Sequence, residues 1–256
     1  MPIFDTHAHY DDDWFDADRN ELIAALPSFG ITKVLNAGTE ASSSERSIQF
    51  AHTYPGFYAA VGWHPHEAKS WSDRSEAQIR SWAKDPRVVA IGEIGLDYHY
   101  DLDWKSLQQE VLEVQLCLAE ELKLPVVIHD REAHGDIMDI LRRYPNLRGE
   151  FHCFSGSWEM AKILLDRGWY LGFNGSVTMT HARRCLDVLK NMPLSHFLLE
   201  TDCPYLAPIP RSGNKRNDST RIPQISAFIA DLLNLNPSDL EQIAYDNACR
   251  FFSIQD

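Results

Sequence analysis

The sequence has no apolar run near the roughly 20 residues that a membrane-spanning helix needs, and its first residues lack the basic and apolar regions of a signal peptide. Both absences lead to the expectation of a cytoplasmic chain with no membrane partner. Cysteine is scarce: Cys117, Cys153, Cys185, Cys203 and Cys249 are odd in number and scattered. This argues against a disulfide framework and predicts reduced, mostly buried thiols. Positive charge is also in short supply. With 24 Lys and Arg against 37 Asp and Glu, the formal net charge is −13. A broad electrostatic grip on nucleic acid would need many neutralised phosphates, so that function class is disfavoured. A small phosphate substrate or a strand end, held by metal ions and a few local bases, stays open. Low-complexity segments and internal repeats are missing too. The 256 residues, 44% hydrophobic, can bury a full core and are read as a single domain, 1–256.

What is present is a rhythm. Short, almost continuously apolar segments at 3–6, 31–37, 57–63, 88–94, 125–129, 150–154, 169–174 and 196–201 are each followed by a helical pattern. The helices are expected at 19–29, 42–54, 75–84, 104–122, 133–143, 157–167, 180–191 and 221–234. The absence of clean alternation within the strands fits a sheet covered on both faces. Eight strand and helix pairs without a compositional break predict a closed parallel (β/α)8 TIM barrel. Right-handed crossovers then bring the C-terminal ends of all strands to one rim, where function is expected. A ninth helix, 237–252, is predicted to pack across the barrel wall or bottom through Leu240, Ile243, Ala244, Phe251 and Phe252. Ser238 and Glu241 stand at capping-box spacing at its start.

Ligand-type residues recur where these strands end. His7 and His9 close the first apolar segment two residues apart, so in an extended chain both can reach one centre. Glu93, His129, His152 and Asp202 follow the same rule at strands four, five, six and eight. A buried histidine often only bonds to backbone, and a carboxylate at a strand end is frequently a helix cap. Glu93, between Ile91-Gly92 and Ile94-Gly95, is the hardest to explain that way, because a buried carboxylate needs cations around it. Six nitrogen and carboxylate ligands placed alike point to a metal centre. Cys153 and Cys203 adjoin candidate ligands but are not needed to complete the set.

Taken together, Phe4-Asp-Thr-His-Ala-His9, Gly62-Trp-His-Pro-His66, Gly92-Glu-Ile-Gly-Leu-Asp97 and Val127-Ile-His-Asp-Arg131 form an ordered set of motifs. They continue in His152-Cys-Phe-Ser-Gly156, Leu198-Leu-Glu-Thr-Asp-Cys-Pro-Tyr-Leu-Ala-Pro208, and Asn247 with Phe251-Phe252. In this order and spacing the chain resembles, over essentially its whole length, the TatD family of metal-dependent deoxyribonucleases, a branch of the amidohydrolase-like barrels. The resemblance implies two divalent ions, with His7 and His9 on one, His129 and His152 on the other, and Glu93 bridging. Asp202 completes the first and positions the attacking water. It also implies cleavage of DNA phosphodiesters, often as a magnesium-dependent exonuclease from the 3′ end of single strands. Ala8 stands where the family often has Cys. The loop 209–219 lacks the proline that usually follows its Asn-acidic pair, a departure that bears on substrate preference.

Phosphodiester hydrolysis needs an activated water, neutralised nonbridging oxygens and help for the leaving oxygen, which two ions and Asp202 can supply. A set rich in His suits Zn²⁺ or Mn²⁺, whereas Mg²⁺ prefers oxygen, so the ion stays open among the three. Arg131 is expected to clamp a phosphate, with a salt bridge to an acid such as Asp97 as the alternative. His64 and His66 can donate to phosphate or hold their loop. Arg211, Lys215 and Arg216 form the basic cluster of an acidic chain and suit a DNA backbone. Tyr98 or Trp63 can stack on a base or belong to the wall. The expected partner is DNA, single-stranded or at a strand end, with no obligate protein partner. The main alternative is a metal-dependent hydrolase of small phosphoesters, lactones or amides. Barrels of that kind often bridge their ions with a modified lysine, for which this chain offers Glu93. A binding module without catalysis and a purely structural role are the remaining, weaker readings.

Overall fold

The computed structural model describes residues 1–100, 102–210 and 216–255. Its strands are β1 (Ile3–Ala8), β2 (Ile31–Ala37), β3 (Phe57–Val61), β4 (Val88–Asp97), β5 (Val126–Arg131), β6 (Gly149–Phe151), β7 (Tyr170–Phe173) and β8 (Phe197–Leu199). They form one parallel sheet in the order of the sequence, a nearly closed TIM-type barrel. A parallel bridge between Ala8 and Cys203 joins its two edges. There the buried Asp5 carboxylate accepts from the Thr201 amide (2.9 Å) and hydroxyl (2.6 Å). A carboxyl side chain thus takes the place of ladder bonds that the two strands do not supply there.

Helices α1 (Arg19–Ala25), α2 (Ala41–Thr53), α3 (Asp73–Trp82), α4 (Lys105–Leu122), α5 (His134–Leu141), α6 (Trp158–Asp166), α7 (Arg183–Asn191) and α8 (Ile222–Leu233) follow the strands in turn. A ninth, α9 (Pro237–Phe251), covers the opposite pole from the ligand-bearing mouth. Phe252 lies 5.7 Å from the Phe4 ring, and Phe251 lies 4.9 Å from Tyr170. These rings share a buried cluster with Leu35, Ala90, Val127 and Leu198 of the strands. The helix is started by Asn236, whose side chain accepts from the Ser238 amide, not by the expected Ser238 and Glu241 box. Glu241 is instead taken by the Ser226 hydroxyl of α8.

Two differences in the strands matter for the site. β4 extends to Asp97, three residues beyond the expected end, so Glu93 lies inside the strand. The extension is held by Gln108 of α4, which accepts from the Asp97 amide and donates to its carbonyl, both at 3.0 Å. Gln115, two turns along the same helix, does the same for Trp63 after β3. One helix thereby fixes two segments of the mouth through buried amides that no apolar pattern announces. β6 is only three residues long, so His152 follows it, and His129 lies within β5.

Candidate metal centre

At the C-terminal mouth the six predicted ligand residues converge. The regular pairing of β1 with β2 is interrupted between Asp5 and Ala8, and there His7 and His9 bring their Nε2 atoms to 3.1 Å of each other. Across the mouth, His129 Nδ1 stands 3.2 Å from His152 Nε2. Glu93 lies between the pairs. Its Oε1 is 2.8 Å from both His129 Nδ1 and His152 Nε2, and its Oε2 is 3.4 and 3.5 Å from His7 and His9. Asp202 Oδ1 is 3.5 Å from His9 Nε2 and 3.9 Å from His7 Nε2.

Outward hydrogen bonds define the tautomers of His9 and His129. His9 Nδ1–H donates to the Ala37 carbonyl at 3.0 Å, and His129 Nε2–H donates to Asp97 at 3.1 Å. His152 Nδ1 faces Glu200 at 3.6 Å. His9 and His129, when neutral, thus each aim a lone pair at the centre. Two lone pairs about 3 Å apart repel unless a cation or a proton stands between them, so the donor set fits divalent ions. Three overlapping groups have ligand atoms within 4.8 Å of one another: His7, His9 and Asp202; His7, Glu93 and His152; and His64, Glu93 and His129.

The electrostatics agree. Burial alone would raise the Glu93 carboxyl, but His152, His64, His7 and the His129 hydrogen bond outweigh it and hold it well below the usual range. Burial is likewise overcome at Asp202 by His9, His152 and His7, which keep its carboxyl low. His7 and His64 are pushed down by burial. In His9 the same burial is outweighed by Asp202 and Glu93, which raise it to about 9, and His152 is raised by Glu93 and Glu200.

Several expectations for substrate contacts change. His64 is buried, with Nε2 3.7 Å from Glu93 Oε1, and joins the centre itself. His66 is at the rim, part exposed, bonded to Asp97 at 2.9 Å. The alternative pairing of Arg131 with Asp97 is not made: that carboxylate is taken by His66, His129 and the His99 amide. The Arg131 guanidinium lies over the Tyr100 ring at 4.8 Å. Tyr98 is buried and donates to Asp136, and Trp63 is packed against Trp71 and Trp82, so neither offers a stacking face. Arg216 makes a two-pronged pair with Asp18, both contacts 2.7 Å, over the Phe15 ring. It is therefore tied to the loop after β1. Arg211 and Lys215 lie outside the described residues.

From the sequence Asp97 enters only as an alternative partner of Arg131, and Glu200 is not singled out. Both are acids inside apolar strand ends, the same signal that marked Glu93. Glu200 accepts from the Cys153 amide and the Asn174 side chain as well as facing His152. None of the five cysteines is in a disulfide.

A parallel barrel whose C-terminal mouth gathers buried imidazoles around a carboxylate defines the class of metal-dependent hydrolases built on this fold. Comparison with known proteins narrows it. The sequence model of the family described as TatD related DNase matches residues 4–253, and the chain belongs to that family. It is 37% identical over 258 residues to the 3′-5′ ssDNA/RNA exonuclease TatD of Cronobacter sakazakii, covering 98% of this chain and 97% of that one. It is 36% identical over 254 residues to the metal-dependent hydrolase YabD of Bacillus subtilis, covering 98% and 99%. The crystal structure of the Escherichia coli TatD homologue YJJV superimposes with a TM-score of 0.91 at 31% identity, over 99% of this chain and 98% of that one. The protein is thus an enzyme, a TatD-family metal-dependent hydrolase. Among the described residues no helix is long and apolar enough to cross a membrane.

Proposed function

We propose that this enzyme hydrolyses phosphodiester bonds of single-stranded nucleic acid, removing nucleotides from the 3′ end, as one cytoplasmic domain spanning 1–256. The observation that carries the reading is the pair of inward-facing imidazole couples with Glu93 between them. In this reading His7, His9 and Asp202 would hold one divalent ion, His129 and His152 a second, and Glu93 would serve both, with His64 close enough to contribute. Such ions neutralise the phosphate oxygens and acidify water. The imidazole-rich donors favour Zn²⁺ or Mn²⁺, while Mg²⁺ would keep more water around it.

The chain's own residues supply the rest. Asp202, kept ionised by its histidines, accepts the proton of the attacking water and fixes its line of approach. Glu93 carries no proton at neutral pH and holds its imidazoles at fixed spacing. His66, steadied by Asp97 and part exposed, stands at the rim where a phosphate would lie. The names of the curated relatives support nucleic acid over small esters.

The test is digestion of 5′-labelled and 3′-labelled oligonucleotides, single-stranded and duplex, with Mg²⁺, Mn²⁺ or Zn²⁺. A ladder receding from the 3′ end of single strands, abolished by chelator, is the expected result. Cleavage of small phosphoesters or lactones with no attack on any oligonucleotide would replace this reading with the small-substrate hydrolase.

A further inference from the structure

Aromatic residues are mostly interior in this barrel. Phe29 and Phe228 are exposed elsewhere, before β2 and on α8, but the exposed Tyr and Trp are concentrated in one place. Of the nine Tyr and seven Trp, all described, the exposed ones are Trp14 (57% exposed), Tyr100 (68%), Trp104 (39%) and Tyr205 (48%). Every one lies in a loop after β1, β4 or β8, at the mouth that holds the metal centre. An aromatic ring left in water at four separate positions gains nothing from the core, and a scattered surface would not collect them on one rim.

The rings also make continuous rows from the centre outward. On one side His9 meets Tyr205 at 6.3 Å between ring centres, and Tyr205 meets Trp14 at 6.2 Å. The Tyr205 hydroxyl donates to Asp12 at 2.7 Å, which fixes the ring plane. On the other side His129 lies 6.4 Å from His66, and His66 lies 5.5 Å from Tyr100. Tyr100 and Trp104 line a pocket of about 380 Å³ together with His66 and Lys69. Cations accompany this second row: Lys69 Nζ is 3.9 Å from the Trp104 ring, and Arg131 is 4.8 Å from Tyr100.

Building on the nuclease reading above, we propose that the two rows are base-stacking platforms bracketing the scissile phosphate, one nucleobase on Tyr205 and Trp14, the other on Tyr100 and Trp104. Arg131, over Tyr100, marks the second platform as the one that also receives a backbone phosphate. The physics suits an acidic protein. With a net charge of −13 the chain has little to gain from counterion release. Stacking supplies affinity that salt barely screens, and every base has a π face, so the sequence of the strand is not read. It requires bases that are unpaired and splayed apart, which selects single strands over duplex and is indifferent to the sugar.

The test uses Trp14→Ala and Tyr100→Ala, both at exposed positions outside the core, with Trp14→Phe and Tyr100→Phe as conservative partners. KM and kcat are measured on a single-stranded oligonucleotide and on two relatives carrying an abasic residue at the 3′-terminal or the penultimate position. Each alanine variant is expected to raise KM about 5- to 150-fold, the range of one lost base stack, with kcat nearly unchanged and phenylalanine restoring most of it. The wild type should suffer on both abasic substrates. Each alanine variant should be indifferent to one abasic position, a different one for each. Cleavage with wild-type KM in both alanine variants, or abasic losses that add in full to the mutational loss, would overturn the platforms and leave the nuclease standing. A wild type that neither binds nor cleaves any oligonucleotide would remove the nuclease reading, and the platforms with it.

Discussion

Asp97 accepts from His129 Nε2 at 3.1 Å and, through the same Oδ2, from His66 at 2.9 Å, so one buried carboxylate links a histidine of the centre to one at the rim. The bond fixes the tautomer of His129 and leaves its Nδ1 pointing inward. Carboxylate partners of this kind raise ligand basicity and set ring orientation.

Asp97→Asn is therefore expected to lower metal affinity or turnover by about 10- to 100-fold without removing a ligand. Titration of the metal-free protein with Mn²⁺ or Zn²⁺, read by calorimetry beside the rate on a single-stranded oligonucleotide, checks this. Wild-type values in both measurements would show that Asp97 serves only to pin the loop.

Glu93→Gln should be more damaging than the loss of any one imidazole. The carboxylate lies within 4 Å of five histidines, and an amide keeps the shape while removing the charge that balances the cations. Bound metal per chain should fall and turnover should drop by more than about 100-fold, beyond the range seen for outer partners. A rate within a few-fold of wild type would refute its central position.

Metal-free protein should become less stable as the pH rises from 6.5 to 9. His9 has a folded pKa raised to about 9, and His129 and His152 are also raised, each because neighbouring carboxylates outweigh burial. In that window the folded state holds protons that the unfolded chain releases, so the stabilisation is full below about pH 6.5 and is lost upward. Ion-loaded protein should show the opposite slope, since protons and metal compete for the same nitrogens. Thermal melts at pH 7 and pH 9, with chelator and with excess Mn²⁺, separate the two. Parallel slopes would refute this account.

Gly95→Ala probes the backbone under His129. Gly95 has φ +154°, and an added Cβ would lie 1.9 Å from the His129 carbonyl oxygen of the paired strand. The two strands must separate, so a loss of about 1–3 kcal/mol or more is expected on the scale of overpacked sites, with weaker metal binding as His129 shifts. Denaturant melts and metal titration read the two effects, and an unchanged midpoint would contradict the described geometry.

Much of the architecture was legible in the chain because it is local. Eight short apolar segments, each followed by a helical pattern, specify strand and helix pairs, and the right-handed crossover sends every strand's C-terminal end to one rim. From that alone His7, His9, Glu93, His129, His152 and Asp202 could be gathered at one place. Boundaries were less secure. β4 reaches Asp97 because its pairing with β5 runs on to Arg131, while Gln108, on a helix beginning eight residues beyond it, takes the Asp97 amide and carbonyl.

What the tertiary structure alone decided is which of these residues face one another. A strand end announces that a histidine reaches the mouth, not that its outer nitrogen meets Ala37 or Asp97, and those contacts choose the tautomer. Nor does sequence separate His64, buried against Glu93, from His66 two residues on at the rim. The aromatic residues show the same limit: Trp63 and Tyr98 are interior while Tyr100, Trp104, Trp14 and Tyr205 are exposed. Composition and periodicity fix the face along one element. Exposure and charge pairing depend on loops that converge from strands as far apart in sequence as β1 and β8, and only the closed barrel brings those together.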